Sequence, residues 1–176
     1  MSEIPGLQDI YFRGIPTEFV PFRLKNLKNR DTKDGPGFYF TSEYEDACGY
    51  AEGTGVVIEV RLFPQRFLSN EAKPDRAELK ELILAAEGYE AILETLDRDP
   101  EKALEKAINT ACIGSSQTEA FLNIWYLFYQ DKPLGYLKAL IDMRYDGHIS
   151  PTTITAQHIV IYNPDAIEVI STIPQS

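Results

Sequence analysis

The strongest constraint on this chain is the order in which its sequence changes character: strand-like segments lie at both ends, and one long helical stretch separates them. Residues 9–14 (Asp-Ile-Tyr-Phe-Arg-Gly) read as a short strand closed by a glycine. Residues 37–41 read as a second strand, and Val56–Leu62, rich in β-branched residues, as a third. Residues 15–36 carry several Pro, Lys, Asn, Asp and Gly and read as a long loop with one helical turn. From 75 to 143 the pattern is helical. Leu79, Leu82, Ile83, Ala86, Tyr89, Leu93 and Leu96 recur at helical spacing in one run. Asp99-Pro100-Glu101 opens a second helix, with proline where its missing N–H costs nothing. Phe121, Ile124, Trp125 and Phe128 mark a third, and Pro133 starts a fourth. Tyr145–Ile149 returns to strand character, Ile154–Tyr162 reads as a strong strand ended by Asn163-Pro164-Asp165, and Ile167–Ile173 is the last. Strands, then helices, then strands is an α+β arrangement rather than βαβ alternation. A length of 176 residues suits one domain, 1–176, with a helical insert over about 71–143.

Charge and composition narrow the function classes. The formal net charge is −10 and the pI about 4.7, which argues against binding a nucleic-acid backbone, a task for Lys and Arg. The acidic surface reads as a solubility device or, alternatively, as a face that meets a basic or nucleic-acid-handling partner. Cys48 and Cys112 sit among apolar helical residues and read as buried free thiols. The start Met-Ser-Glu-Ile-Pro lacks the basic and apolar regions of a signal peptide, and the apolar runs are too short for a membrane span. A cytoplasmic protein is the expectation.

The familiar phosphate-loop, dinucleotide and paired-cysteine zinc spacings are missing from the sequence. His148 and His158 fall on different expected strands with no ligand signature around them. Ser115-Ser116 reads as a helix cap, and Asp146-Gly147 as turn chemistry. Three pieces remain. The first is Tyr11-Phe12-Arg13-Gly14, the second residues 35–50, and the third Gln157-His158-Ile159-Val160. In the second, a glycine turn leads into an apolar strand and then a helix that Ser42 can cap, with acidic residues in its first turn. Tyr39 on the strand and Tyr50 eleven positions later place two rings at one strand–helix corner, where they can clamp a flat ring. Tyr39 also fits as a packed strand residue, Tyr50 as a core aromatic, Arg13 as a solvated strand end, and Gln157 as a surface position.

The run Gly37-Phe38-Tyr39-Phe40-Thr41-Ser42-Glu43-Tyr44-Glu45-Asp46-Ala47-Cys48-Gly49-Tyr50 resembles the NAD-binding segment of diphtheria-toxin-like ADP-ribosyltransferases. Tyr145–Ile149 and the strand into Asn163-Pro164-Asp165-Ala166-Ile167 are similar to small phage and mobile-element members of that superfamily. The resemblance covers about half the chain and leaves the helical insert outside it. It implies split antiparallel sheets around a cleft, with NAD as substrate. Tyr39 and Tyr50 would sandwich the nicotinamide. Arg13, standing where this clade has His, would anchor ribose or pyrophosphate beside Gly14. Gln157, standing where the family has Glu, would fix a ribose hydroxyl, and Thr41 would touch the ligand. An amide carries no negative charge to stabilise an oxocarbenium ion and cannot act as a general base.

The leading expectation is an NAD-dependent mono-ADP-ribosyltransferase-like protein, phage or mobile-element encoded, acting in the host cytoplasm on a host protein or other macromolecule. One alternative is a weak relative that binds NAD or ADP-ribose or only hydrolyses NAD. Another, of a different class, is an acidic inhibitor of a nucleic-acid-handling partner.

Overall fold

The strand–helix–strand order folds into one seven-stranded mixed sheet and six helices, shown by a computed structural model that describes residues 4–27, 33–152 and 155–176. The strands are β1 (Ile10–Ile15), β2 (Phe38–Thr41), β3 (Val56–Leu62), β4 (Phe67–Leu68), β5 (Gly147–Ile149), β6 (His158–Ile161) and β7 (Ile167–Pro174). Their order across the sheet is β4-β5-β6-β2-β1-β3-β7, with β4 and β5 parallel and every other pair antiparallel.

The expectation of two separate sheets is corrected here: hydrogen bonding joins all seven strands. The join at the centre is nevertheless thin. β1 pairs with β3 over its whole length, from Ile10↔Arg61 to Ile15↔Val56, and β2 pairs with β6 from Phe38↔Ile161 to Thr41↔His158. Between β1 and β2 the ladder holds a single pair, Phe12↔Thr41. A seam therefore runs between a β3-side half and a β6-side half.

The helix α1 (Tyr44–Tyr50) follows β2 and packs on β1. Gly14 sets that approach, because a Cβ there would lie 1.8 Å from the Ala47 carbonyl oxygen and 2.8 Å from the Ala51 nitrogen. Ser42 does not cap α1. The N-cap is Glu43 without a side-chain bond, and Ser42 Oγ instead accepts from the Gln157 backbone N–H at 2.9 Å.

The periodic run 79–96 is two helices, not one: α2 (Arg76–Leu84) and α3 (Tyr89–Leu96). Gly88 separates them at φ 77°, a left-handed conformation that ends a helix. Asp99 caps α4 (Pro100–Cys112) by accepting from Glu101 and Lys102 N–H groups. Ser116 and Glu119 form a reciprocal capping box on α5 (Gln117–Ile124), which runs on into a π-helical turn, Trp125–Tyr129. Pro133 opens α6 (Pro133–Asp142) as its position suggested. In the 15–36 loop, Leu24–Asn26 make one 3₁₀ turn, and residues 28–32 lie outside the described residues. The last long strand is shorter than its sequence suggests: β6 begins at His158, and Ile154 lies outside the described residues.

Two large apolar cores lie on opposite faces of the sheet, as strand alternation requires, and a small third cluster of Ala47, Ala51 and Val57 lies under α1. Val160 and Tyr162 join Leu79, Phe121, Trp125 and Leu137 in the helical core. Ile159 and Ile161 join Tyr11, Phe38 and Phe40 on the other side. Asp146 is buried and does turn work, its Oδ2 accepting from the Gln65 and Arg66 N–H groups and its Oδ1 from Asn163 Nδ2. Cys48 and Cys112 are free but only half-buried. No described helix is long and apolar enough to cross a membrane.

Candidate functional site

The β1–β2 seam carries the site. A cavity of about 250 Å³ opens along it, lined by Phe12, Arg13, Gly14, Tyr39, Thr41, Tyr50 and His158. A second cavity, of about 240 Å³, is also lined by Arg13, Gly14 and Tyr39, together with Phe22, Pro36 and Gly37. Each alone is smaller than the ~300–1,000 Å³ of common small-molecule sites.

Where the β1–β2 ladder stops, a side chain takes over. Arg13 donates from Nη1 to the Tyr39 carbonyl oxygen at 3.2 Å, and its guanidinium carbon lies 5.9 Å from the centre of the Phe22 ring. Tyr39 is half-buried, and its hydroxyl donates to the Gly35 carbonyl oxygen. The same turn is held from the far side, where Ser150 Oγ donates to the buried Asp34 carboxylate at 2.7 Å. Tyr50, at the end of α1, is 58% exposed and has its ring available at the cavity mouth. Phe12 is fixed by an edge-on contact with Tyr44, the ring centres 5.6 Å apart.

Arg13, Gly14, Tyr39, Thr41 and Tyr50 thus converge on one groove. Gln157 does not line either cavity. Its side-chain oxygen accepts from the Tyr11 hydroxyl, and its Nε2 donates to the Gly6 carbonyl oxygen at 3.0 Å. Its backbone exchanges both hydrogen bonds with Ser42. Alternation from β6 puts Gln157 on the side of Ile159 and Tyr11, where burial raises the Tyr11 hydroxyl above its ordinary pKa.

His158 enters the site unannounced by its sequence surroundings. It stands opposite Thr41 in the β2–β6 ladder, and its Nε2 lies 2.8 Å from Asp46 Oδ2 on α1. The two residues are 112 positions apart, so no local motif links them. The useful sequence signal was position: His158 follows Gln157 directly, and Asp46 lies within the Tyr39–Tyr50 segment.

The other histidine is a core residue. His148 is fully buried, its Nδ1 shares a hydrogen bond with the Tyr162 hydroxyl, and burial pushes its pKa down to about 3. The hydroxyls of its neighbour Tyr162 and of the buried Tyr136 are raised by the same cause, and neither lines the groove. Among the described residues no group of three His, Cys, Asp or Glu side chains is placed to hold a metal ion.

Comparison with protein-family models, with curated proteins and with solved structures finds no match to this chain.

Proposed function

We propose that the seam groove binds NAD and that the protein is an NAD-dependent ADP-ribosyltransferase-like protein acting on a host macromolecule. The observation that supports this most directly is the convergence of Tyr39, Tyr50, Arg13 and Gly14 on one cavity. Aromatic faces at Tyr39 and Tyr50 suit a nicotinamide. Gly14 lets α1 seat against β1 and so sets where Tyr50 stands at the groove. A guanidinium beside the second cavity suits a pyrophosphate or ribose. In this reading the weakly paired β1–β2 seam is the cleft that an ADP-ribosyltransferase-like fold needs.

One observation favours the weaker form of the reading, an NAD binder or NAD glycohydrolase. Gln157 is neutral and already bonded to Tyr11 and Gly6, so to hold a ribose hydroxyl it must leave both partners.

The experiment is thermal unfolding with and without NAD, on the unsubstituted protein and on Tyr50→Ala. A ligand that binds only the folded state stabilises it by about 2.7 kcal/mol at a hundredfold excess over Kd. NAD is expected to raise Tm in the first protein and much less in the second. No shift in the unsubstituted protein overturns the reading. Labelled NAD added with host lysate then separates transfer, which labels a macromolecule, from hydrolysis, which releases nicotinamide without label.

A further inference from the structure

A carboxylate–imidazole pair, Asp46 and His158, stands beside the groove, with His158 in its lining. His158 and Asp46 are held 2.8 Å apart by two different elements, β6 and α1. Both are partly accessible, with side-chain exposures of 26% and 35%. His158 lines the same cavity as Tyr39, Thr41 and Tyr50. A carboxylate accepts from Nε2–H, so in the neutral imidazole held this way the proton sits on Nε2 and the lone pair on Nδ1. Among the described residues no partner occupies Nδ1.

We propose that His158 is the proton acceptor for the nucleophile in this groove and that Asp46 is its positioning residue. The inference rests on the NAD reading above and deepens it by naming the acceptor class. An imidazole removes a proton from an O–H group, so the acceptor is a hydroxyl, water included. His158 Nδ1 takes the hydroxyl proton as the acceptor oxygen bonds to C1′ of the nicotinamide ribose. The C1′–nitrogen bond breaks at the same centre, and its electron pair leaves with nicotinamide, which departs neutral. Asp46 stabilises the imidazolium that forms and keeps the ring in the tautomer that can accept. The proton is then returned to solvent through the open cavity mouth. No other reactant is required.

The test compares the unsubstituted protein with His158→Gln and Asp46→Asn, each incubated with NAD. Three quantities are read: the NAD-induced Tm shift, the rate of nicotinamide release, and that rate with added azide, an anionic nucleophile that has no proton to lose. Both variants are expected to keep the NAD-induced shift. His158→Gln is expected to lose about 10²-fold in nicotinamide release, the usual size of a general-base contribution. Asp46→Asn is expected to lose less, about tenfold. Azide is expected to restore turnover in His158→Gln, with ADP-ribosyl azide as product. An intact shift with unchanged release in both variants overturns the dyad alone, as does failure of azide to restore the His158→Gln rate. NAD binding without nicotinamide release in the unsubstituted protein also overturns the dyad. Absence of any NAD-induced shift in the unsubstituted protein overturns the NAD reading itself, and the dyad's role with it.

Discussion

The Arg13 guanidinium donates to the Tyr39 carbonyl oxygen at the point where β1 and β2 cease to pair. The Phe12↔Thr41 pair, this bond and the Tyr11–Gln157 bond join the two halves of the sheet along this seam. The side chain that bridges the seam also lines both cavities, so the same guanidinium holds the two strands and faces the groove. A sheet with a full β1–β2 ladder would have no groove there.

Arg13→Lys is expected to raise the Kd for NAD at least tenfold, about 1.4 kcal/mol. A lysine ammonium cannot bridge to the Tyr39 carbonyl and face a ligand with a planar fork at once. The apo protein should lose about 1 kcal/mol, the usual net value of one hydrogen bond. Calorimetric titration with NAD, alongside urea unfolding, checks both numbers, and unchanged NAD affinity would remove Arg13 from the site.

Gly14→Ala is expected to cost at least about 2 kcal/mol, because the added methyl would sit 1.8 Å from the Ala47 carbonyl oxygen. Backbone cannot rotate away as a side chain can, so α1 must lift from β1 and carry Tyr50 with it. Gly53→Ala serves as the reference: a Cβ there meets nothing within 4 Å, so only the strain of its φ of 73° is felt. Urea midpoints of the two variants settle the comparison, and equal losses would show that the β1–α1 approach tolerates a side chain.

The α+β order was legible because it rests on periodicity over many residues, and so were the caps at Asp99 and Ser116, which are local. The grouping of Tyr39, Tyr50 and Arg13 was legible because β2 runs straight into α1 and β1 lies beneath it. Other features were hidden for physical reasons. Leu93 and Leu96 continue the helical spacing of Leu79 and Leu82 even though Gly88 turns the chain between them, so period alone could not show two helices. β4 is only two residues long and has no pattern to read. The seam is a property of ladder length, and the Asp46–His158 pair is a contact between remote elements; neither leaves a mark in local sequence.

Gln157→Ala is expected to destabilise the fold by about 1–2 kcal/mol while leaving most of the NAD-induced Tm shift. The substitution removes the acceptor of the buried Tyr11 hydroxyl proton, whose oxygen keeps only the Gln8 N–H, and the donor to the Gly6 carbonyl. Tyr11→Phe removes the other end of the same bond. The double variant should therefore cost clearly less than the sum of the two single ones. Additive losses would show that the Tyr11–Gln157 bond carries no stability, and a vanished NAD shift in Gln157→Ala would return Gln157 to the ligand site.

Stability should fall as the solution is acidified below about pH 6.5, and His148 is the cause. In the unfolded chain this imidazole takes up a proton near 6.5, whereas burial holds the folded value at about 3. Between those values the unfolded state binds a proton that the folded state refuses, so the free energy of unfolding rises with pH and is lost as pH drops. The slope is about 1.4 kcal/mol per pH unit, which makes the loss about 2 kcal/mol at pH 5. Asp97, held below the usual carboxylate range by Lys106, acts only at lower pH and does not confuse this window. The neighbour that His148 does meet, Tyr162, has its hydroxyl raised by burial and stays neutral throughout. His148→Asn keeps a polar partner for Tyr162 and removes the titration. That variant should be less stable at pH 7.5 yet lose little more on going to pH 5. Urea unfolding of both proteins at half-unit steps from pH 7.5 to 5 measures the two slopes, and parallel slopes would show that another group governs acid sensitivity.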